Sequence, residues 1–253
     1  MLIPYLTVAE AKILLTVQSK NLHKRPRRKM TRTVEPQYDG HVELKHRHGL
    51  TKLGVEKNAN WHTDPKRLVF VLSRYKFVAK MLSGKQRVLE IGCGDGFPVR
   101  IMLQEVGSVH GIDIDSVFIE DIAERADEKW SFTSAVHDML SGPVAGQYDA
   151  AYSLDVLEHI AQKDEKRFIE NIVKSLVKSG VLIVGMPSLE SQAYASALSK
   201  IGHVNCKTGA DLKTLMLEYF ENVFMFSMND EVVHTGYQPM AQYLLAIGVG
   251  VKG

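Results

Sequence analysis

The chain has 253 residues, 45% hydrophobic and 24% charged, with 31 basic against 29 acidic side chains. This gives ample material for a buried core and excludes a disordered or collagen-like chain. A net charge of +2 argues against a surface that wraps nucleic acid throughout. The cysteines Cys93 and Cys206 are too few for a disulfide framework or a four-thiolate zinc site, which points to a reducing, cytoplasmic compartment. No run approaches the roughly eighteen apolar residues of a membrane helix. The opening stretch Met1–Val17 is broken by Glu10 and Lys12 and lacks a basic n-region, so no secretory signal is expected.

The near-neutral charge is a cancellation. Residues 1–32 carry 8 basic and 1 acidic side chains, while residues 33–253 carry 23 and 28. Lys24, Arg25, Arg27, Arg28, Lys29 and Arg32 crowd around Pro26. Such a run is either a solvated tail or an arm for phosphates or anionic lipid; Met30 is also an alternative start. It is read as a leader over 1–32.

Residues 33–63 are polar, with His41, His46, His48, Gly40, Gly49, Asn58 and Asn60, and read as loop with a short helix. Asp64-Pro65 predicts a helix start. Leu68, Val71, Leu72, Tyr75, Val78 and Leu82 follow at helical spacing, and Gly84 ends the run. Residues 33–83 thus form a lead-in of loop and helix. From 84 to 253 strands alternate with helices. Strands are predicted at Val88–Ile91, Val109–Ile114, Ser131–His137, Tyr148–Leu154, Val181–Met186, Val223–Ser227 and Tyr243–Val249. Helices are predicted at Pro98–Val106, at Ser116–Lys129 capped by Ser116, after a cap at Asp164 with Gly180 as the stop, and near Ser191–Ile201 and Gly209–Tyr219. This alternation predicts a doubly wound α/β sheet with ligands beyond the carboxyl ends of its strands.

The segment Val88-Leu-Glu-Ile-Gly-Cys-Gly-Asp-Gly96 places glycines at 92, 94 and 96 directly after a strand. Missing Cβ atoms let the backbone bend sharply and a ligand approach it. Asp113 lies about twenty residues on, where an acid meets a ribose diol. A dinucleotide fingerprint would place Gly or Ala at position 97, which is Phe here, and Glu90 and Asp95 would repel a pyrophosphate. Those acids suit a ligand with an ammonium and a sulfonium.

In these motifs the sequence resembles the class I S-adenosylmethionine-dependent methyltransferases, over roughly residues 60–250. The resemblance implies a seven-stranded, mostly parallel sheet with an antiparallel last strand. It implies that Glu90, Gly92, Cys93 and Gly94 meet the methionyl part of S-adenosylmethionine, Asp113 the ribose, and Ile114, Asp138 and Met139 the adenine side. Ser153 and Leu154, in Tyr148-Asp-Ala-Ala-Tyr-Ser-Leu-Asp-Val-Leu-Glu-His159, would end the fourth strand between cofactor and acceptor. Gly180–Pro187 resembles the fifth strand of the family.

The fourth strand lacks the Asn/Asp-Pro-Pro-aromatic motif of nucleic-acid amine methylation, and neither cysteine follows a proline as in cytosine-C5 enzymes. The polar segments His203-Val-Asn205 and Ser227–Gly236 resemble a branch that modifies polysaccharides and small metabolites. That implies in-line O-methylation of a sugar, polysaccharide precursor or other small polar molecule, with His159 or His203 as general base. Asn205, Asn229 and His234 are acceptor-binding candidates; Asn229, Asp230, Glu231 and His234 read equally as a polar turn. Asp155 and Glu158 lie near His159, but no spacing demands a metal and none is expected. The alternatives are RNA or protein as acceptor, guided by the basic leader, and a cofactor-binding scaffold without catalysis.

Overall fold

The computed structural model describes residues 32–253, so the basic leader up to residue 31 lies outside the described residues. The described chain divides into two units, with the boundary between Thr51 and Lys52. In the first, a 3-10 turn Pro36–Tyr38 leads into helix α1, Asp39–His48. The Asp39 carboxylate accepts from the Thr33 amide at 2.9 Å and its hydroxyl at 3.0 Å. Lys45, His46, Arg47 and His48 fill the last turn, where the carbonyl end of the helix favours cations.

The second unit opens with α2, Val55–Thr63, and α3, Lys66–Met81. Eight strands follow: β1 Arg87–Ile91, β2 Ser108–Asp113, β3 Thr133–Val136, β4 Tyr148–Leu154, β5 Leu176–Pro187, β6 Phe220–Asn229, β7 Val232–His234 and β8 Tyr243–Val251. They form one sheet in the order β3-β2-β1-β4-β5-β8-β6-β7. The five strands from β3 to β5 are parallel neighbours, and β8 inserts antiparallel between β5 and β6. The remaining helices are α4 Val99–Met102, α5 Ser116–Glu124, α6 Gln162–Lys174, α7 Ala197–Gly202 and α8 Gly209–Tyr219.

The apolar runs of β1, β4 and β5 feed both faces of the sheet because successive side chains point opposite ways. Leu89, Ala151 and Leu182 pack with Phe168, Ile169 and Ile172 of α6 and Leu212 of α8. Val88, Ala150 and Ile183 pack with Tyr75, Val78 and Leu82 from α3 and its end, and with Val99 and Met102 of α4. Each buried Val, Leu, Ile, Phe or Met among them contributes about 1.5–3 kcal/mol by leaving water. The lead-in helix α3 is therefore part of the second unit's core.

The sequence reading differs from the structure at element ends. The sheet has eight strands, not seven, because the turn after β6 closes a short hairpin through Asp230 at φ 50° and lets β7 pair with β6. Asp115, not Ser116, caps α5, accepting from the Val117 amide at 3.0 Å, and the helix stops at Glu124. Leu176 and Val177 leave the α6 pattern and begin β5, pairing Leu176 with Tyr148. Asp64 closes α2, and Pro65 is the cap of α3.

Candidate active site

Strand order reverses around β1, which lies between β2 and β4, and this is where a doubly wound sheet opens a ligand crevice. The loop after β1 turns there through Gly92, Gly94 and Gly96, all at positive φ. The Gly92 and Cys93 amides donate to the Ile112 carbonyl at 2.8 and 3.0 Å, tying the loop to the end of β2. Asp113 accepts from the Gly94 amide at 2.8 Å with one oxygen and from the Asp115 amide at 3.0 Å with the other. A Cβ on Gly92 would strike Val156, so the glycine loop lies directly against the exit of β4.

Glu90 lies beneath this loop, 1% exposed. The Tyr75 hydroxyl donates to its Oε1, and its Oε2 has no partner among the described residues. Burial pushes its carboxyl up to about 7, although Tyr75 and the Lys57 ammonium pull the other way. The ring of Tyr75 meets Tyr152 edge-on at 5.9 Å between centroids, which walls the carboxyl with aromatic edges.

Helix α2 starts over the same loop. The buried Asp95 carboxylate accepts from the Lys57 amide at 2.8 Å and the Phe97 amide at 3.1 Å, so it caps α2 from across the fold. Gly54 permits this approach, since a Cβ there would strike the Asp95 carboxylate. The buried Lys57 ammonium lies 2.6 Å from Glu56 and 3.9 Å from Asp95.

Other expected cofactor residues spread along this edge. Ile114 is 73% exposed, an apolar side chain open to a planar ring. Asp138 accepts from the Leu140 amide at 2.8 Å in the turn after β3. Met139 is buried in the core around β1 and α6, and packing accounts for it. Burial drives the Cys93 thiol far up, which keeps it a protonated, small turn residue. Leu154 packs in the core on the α3 side, and the Ser153 hydroxyl is buried at the end of β4 without a partner among the described residues.

At the β4 exit Asp155 takes φ 58° and pairs with Arg74 at 2.7 Å. The Arg74 guanidinium stacks 3.7 Å from the centre of the Tyr243 ring. A 3-10 turn, Leu157–His159, follows. Glu158 is 1% exposed with neither carboxylate oxygen partnered among the described residues, and burial together with Asp155 holds its carboxyl well above the usual range. The Val204 and Asn205 amides both donate to the Glu158 carbonyl, at 2.8 and 3.0 Å, docking the segment after α7 beside it. His203 thereby meets His159 edge-on, 5.2 Å between ring centres. Burial, then His159, lowers the His203 imidazole below its ordinary value and favours its neutral form.

The structure brings His159 and His203 together and gives the expected acceptor-binding groups partners within the fold. Asn205 is 7% exposed and is spent on Glu165 at 2.7 Å and Lys207 at 3.2 Å. His234 and Asn229 bond each other at 2.8 Å, and Asn229 donates to the Met240 carbonyl at 3.1 Å. These groups close the β6–β7 hairpin and have little left to offer a ligand.

Residues 88–180 match the family described as a methyltransferase domain. Residues 88–180 are a class I S-adenosylmethionine-dependent methyltransferase domain. Ubiquinone biosynthesis O-methyltransferase from Caulobacter sp. strain K31 is 31% identical over 119 residues, 46% of each chain. The protein of the same name from Psychrobacter arcticus is 22% identical over 144 residues, 55% of each chain. The chain thus spans about half the length of the curated relatives it matches. Two solved structures share the fold. The methyltransferase domain of bacterial CtHen1-C has a TM-score of 0.59 at 16% identity, covering 72% of this chain and 99% of that one. The N-methyltransferase NodS from Bradyrhizobium japonicum WM9, in complex with S-adenosyl-L-homocysteine, has a TM-score of 0.55 at 20% identity, covering 76% and 90%.

The methyltransferase domain's own residues fit its cofactor. The unpartnered Glu90 oxygen lies under a glycine turn, where an ammonium would complete its bonding. Gly94 is held at φ 50°, and a Cβ there would come within 2.9 Å of the Glu56 carboxylate, so only glycine fits this turn without displacing it. Sequence reasoning missed Tyr75, Arg74, Gly54 and Lys57, all of which reach the methyltransferase cleft from elements that precede it. The Asp64-Pro65 start placed Tyr75 on an amphipathic helix, but only the fold puts its hydroxyl on Glu90.

Proposed function

We propose that this chain transfers the methyl group of S-adenosylmethionine to a hydroxyl of a small polar acceptor. One observation carries the reading: the glycine loop over Glu90 and Asp113 abuts the β4 exit at Val156, and that exit ends in the paired imidazoles of His159 and His203. Glu90, Gly92, Gly94 and Asp113 would hold the cofactor, whose sulfonium supplies an already activated methyl. What remains for the protein is alignment and control of the acceptor's proton.

Each imidazole has its Nδ1 within hydrogen-bond distance of a carbonyl-type oxygen: His159 at 2.9 Å from the Gly202 carbonyl and His203 at 2.8 Å from Gln192 Oε1. An Nδ1–H that donates there leaves the Nε2 lone pair free. A hydroxyl must lose a proton during transfer, and an imidazole with a free Nε2 lone pair suits that need better than it suits a free amine. The relatives named as O-methyltransferases support oxygen as the accepting atom. Sugar hydroxyls, including those of polysaccharide precursors, are the first acceptors to try, since Gln192 and His203 set polar groups on this segment.

The test is a screen of sugars, phenols and matched amine analogues with the full chain and S-adenosylmethionine, followed by S-adenosylhomocysteine release and product mass. Release with a hydroxyl acceptor, with the methyl located on oxygen, supports the reading. Release with amine analogues alone would overturn it.

A further inference from the structure

We infer that Glu158, His159 and His203 form a binding site for a divalent first-row transition metal. The inference rests on the proposed methyl transfer only for where an acceptor sits, not for the site itself. One potential ligand atom from each of the three residues lies within 4.8 Å of the others. Two imidazoles and one carboxylate are a donor set for Mn²⁺ through Zn²⁺ rather than for Mg²⁺ or Ca²⁺, which favour oxygen alone.

Two independent features point to a cation as the ligand. The Glu158 side chain is almost wholly buried, yet neither of its carboxylate oxygens has a partner among the described residues. A buried carboxyl without a donor is costly, and a bound cation supplies what the surrounding protein does not. Both histidines also carry the outer hydrogen bond that metal-ligating imidazoles use. The Gly202 carbonyl and Gln192 Oε1 each take an Nδ1–H, which fixes the tautomer and leaves Nε2 as the lone pair for a metal. Backbone bonds from Val204 and Asn205 to the Glu158 carbonyl hold the His203 segment in register with the other two ligands.

Arg74 holds Asp155 at 2.7 Å, so the next carboxylate along the β4 exit is already neutralised and is not needed as a ligand. Three protein ligands leave coordination positions open, and His159 is on the exposed side of the cluster. An acceptor oxygen entering there would be more acidic than in water. The two histidines then act as ligands rather than as bases.

The metal-stripped full chain is titrated with Co²⁺, followed by its visible absorption, with Zn²⁺ as competitor and Mg²⁺ as control. One Co²⁺ per chain, displaced by Zn²⁺ and not by Mg²⁺, is the expected result. His159→Ala, His203→Ala and Glu158→Gln should each weaken binding by about 10-fold or more, while His234→Ala should leave it unchanged. His159 is exposed, so its variant stays folded even where Glu158→Gln does not. Absence of stoichiometric binding, or binding that His159→Ala and His203→Ala leave intact, overturns the site. The titration uses neither cofactor nor acceptor, so its failure leaves the methyl-transfer reading standing. Conversely, a metal-loaded chain that releases no S-adenosylhomocysteine counts against that reading alone.

Discussion

Glu90→Gln removes the one carboxyl buried under the glycine loop and keeps its shape. In the folded chain that carboxyl titrates at about 7 instead of the ordinary 4.5, because burial outweighs the bond from Tyr75 and the charge of Lys57. The folded state therefore keeps a proton that the unfolded state has already lost. Stability falls as pH rises from 4.5 through about 7, the reverse of a salt-bridged acid. The gap of 2.5 pH units, at about 1.4 kcal/mol each, amounts to about 3–4 kcal/mol of folding free energy once Glu90 is ionised. Glutamine carries no such penalty. Urea unfolding of both proteins at pH 5, 6, 7 and 8 should show the variant gaining roughly 2–3 kcal/mol on the wild type across that range. The same variant should bind S-adenosylhomocysteine at least about 10-fold more weakly at pH 8, since the charge that meets the ammonium is gone. A stability difference independent of pH would refute the reasoning that burial governs Glu90.

Three further substitutions test the supports around the cleft. Gly54→Ala drives a Cβ into the Asp95 carboxylate; it should cost about 1–3 kcal/mol in urea unfolding and weaken S-adenosylhomocysteine binding as α2 shifts off the loop. Arg74→Met strips Asp155 of its partner at 2.7 Å and Tyr243 of the stacked guanidinium. Because Asp155 keeps some access to water, the loss should be roughly 1–3 kcal/mol by thermal unfolding, and an unchanged midpoint would contradict the pairing. Asn229→Ala should cost about 0.5–1.5 kcal/mol by opening the β6–β7 hairpin while leaving the acceptor KM unchanged, whereas a raised KM would restore Asn229 to the acceptor site.

What the sequence made legible was local. The unbroken apolar runs of β1, β4 and β5 declare buried parallel strands, and the glycine loop with Asp113 lies within a short stretch that needs no tertiary knowledge. What stayed hidden depends on distant pairings. Asp95 caps a helix 38 residues earlier, and Arg74 reaches Asp155 across 81. Neither end carries a spacing that names the other. His159 and His203 were legible as separate basic candidates, but their meeting depends on two backbone bonds to the Glu158 carbonyl. Three expected acceptor groups are bonded within the fold. Asn205, Asn229 and His234 are polar groups in apparent loops, and polarity alone does not tell a ligand contact from a bond that closes the loop on itself. The element ends moved for a similar reason, since Asp115 and Ser116 both suit a cap and only the fold selects one.

The central claim is that the glycine loop, Glu90 and Asp113 form a cleft for S-adenosylmethionine. Calorimetric titration of the full chain with S-adenosylhomocysteine, beside Asp113→Ala, tests it most directly. The account predicts one ligand per chain for the wild type and affinity lower by at least about 10-fold, or about 1.4 kcal/mol, for the variant. A wild-type chain that does not bind, or a variant that binds equally well, would contradict it.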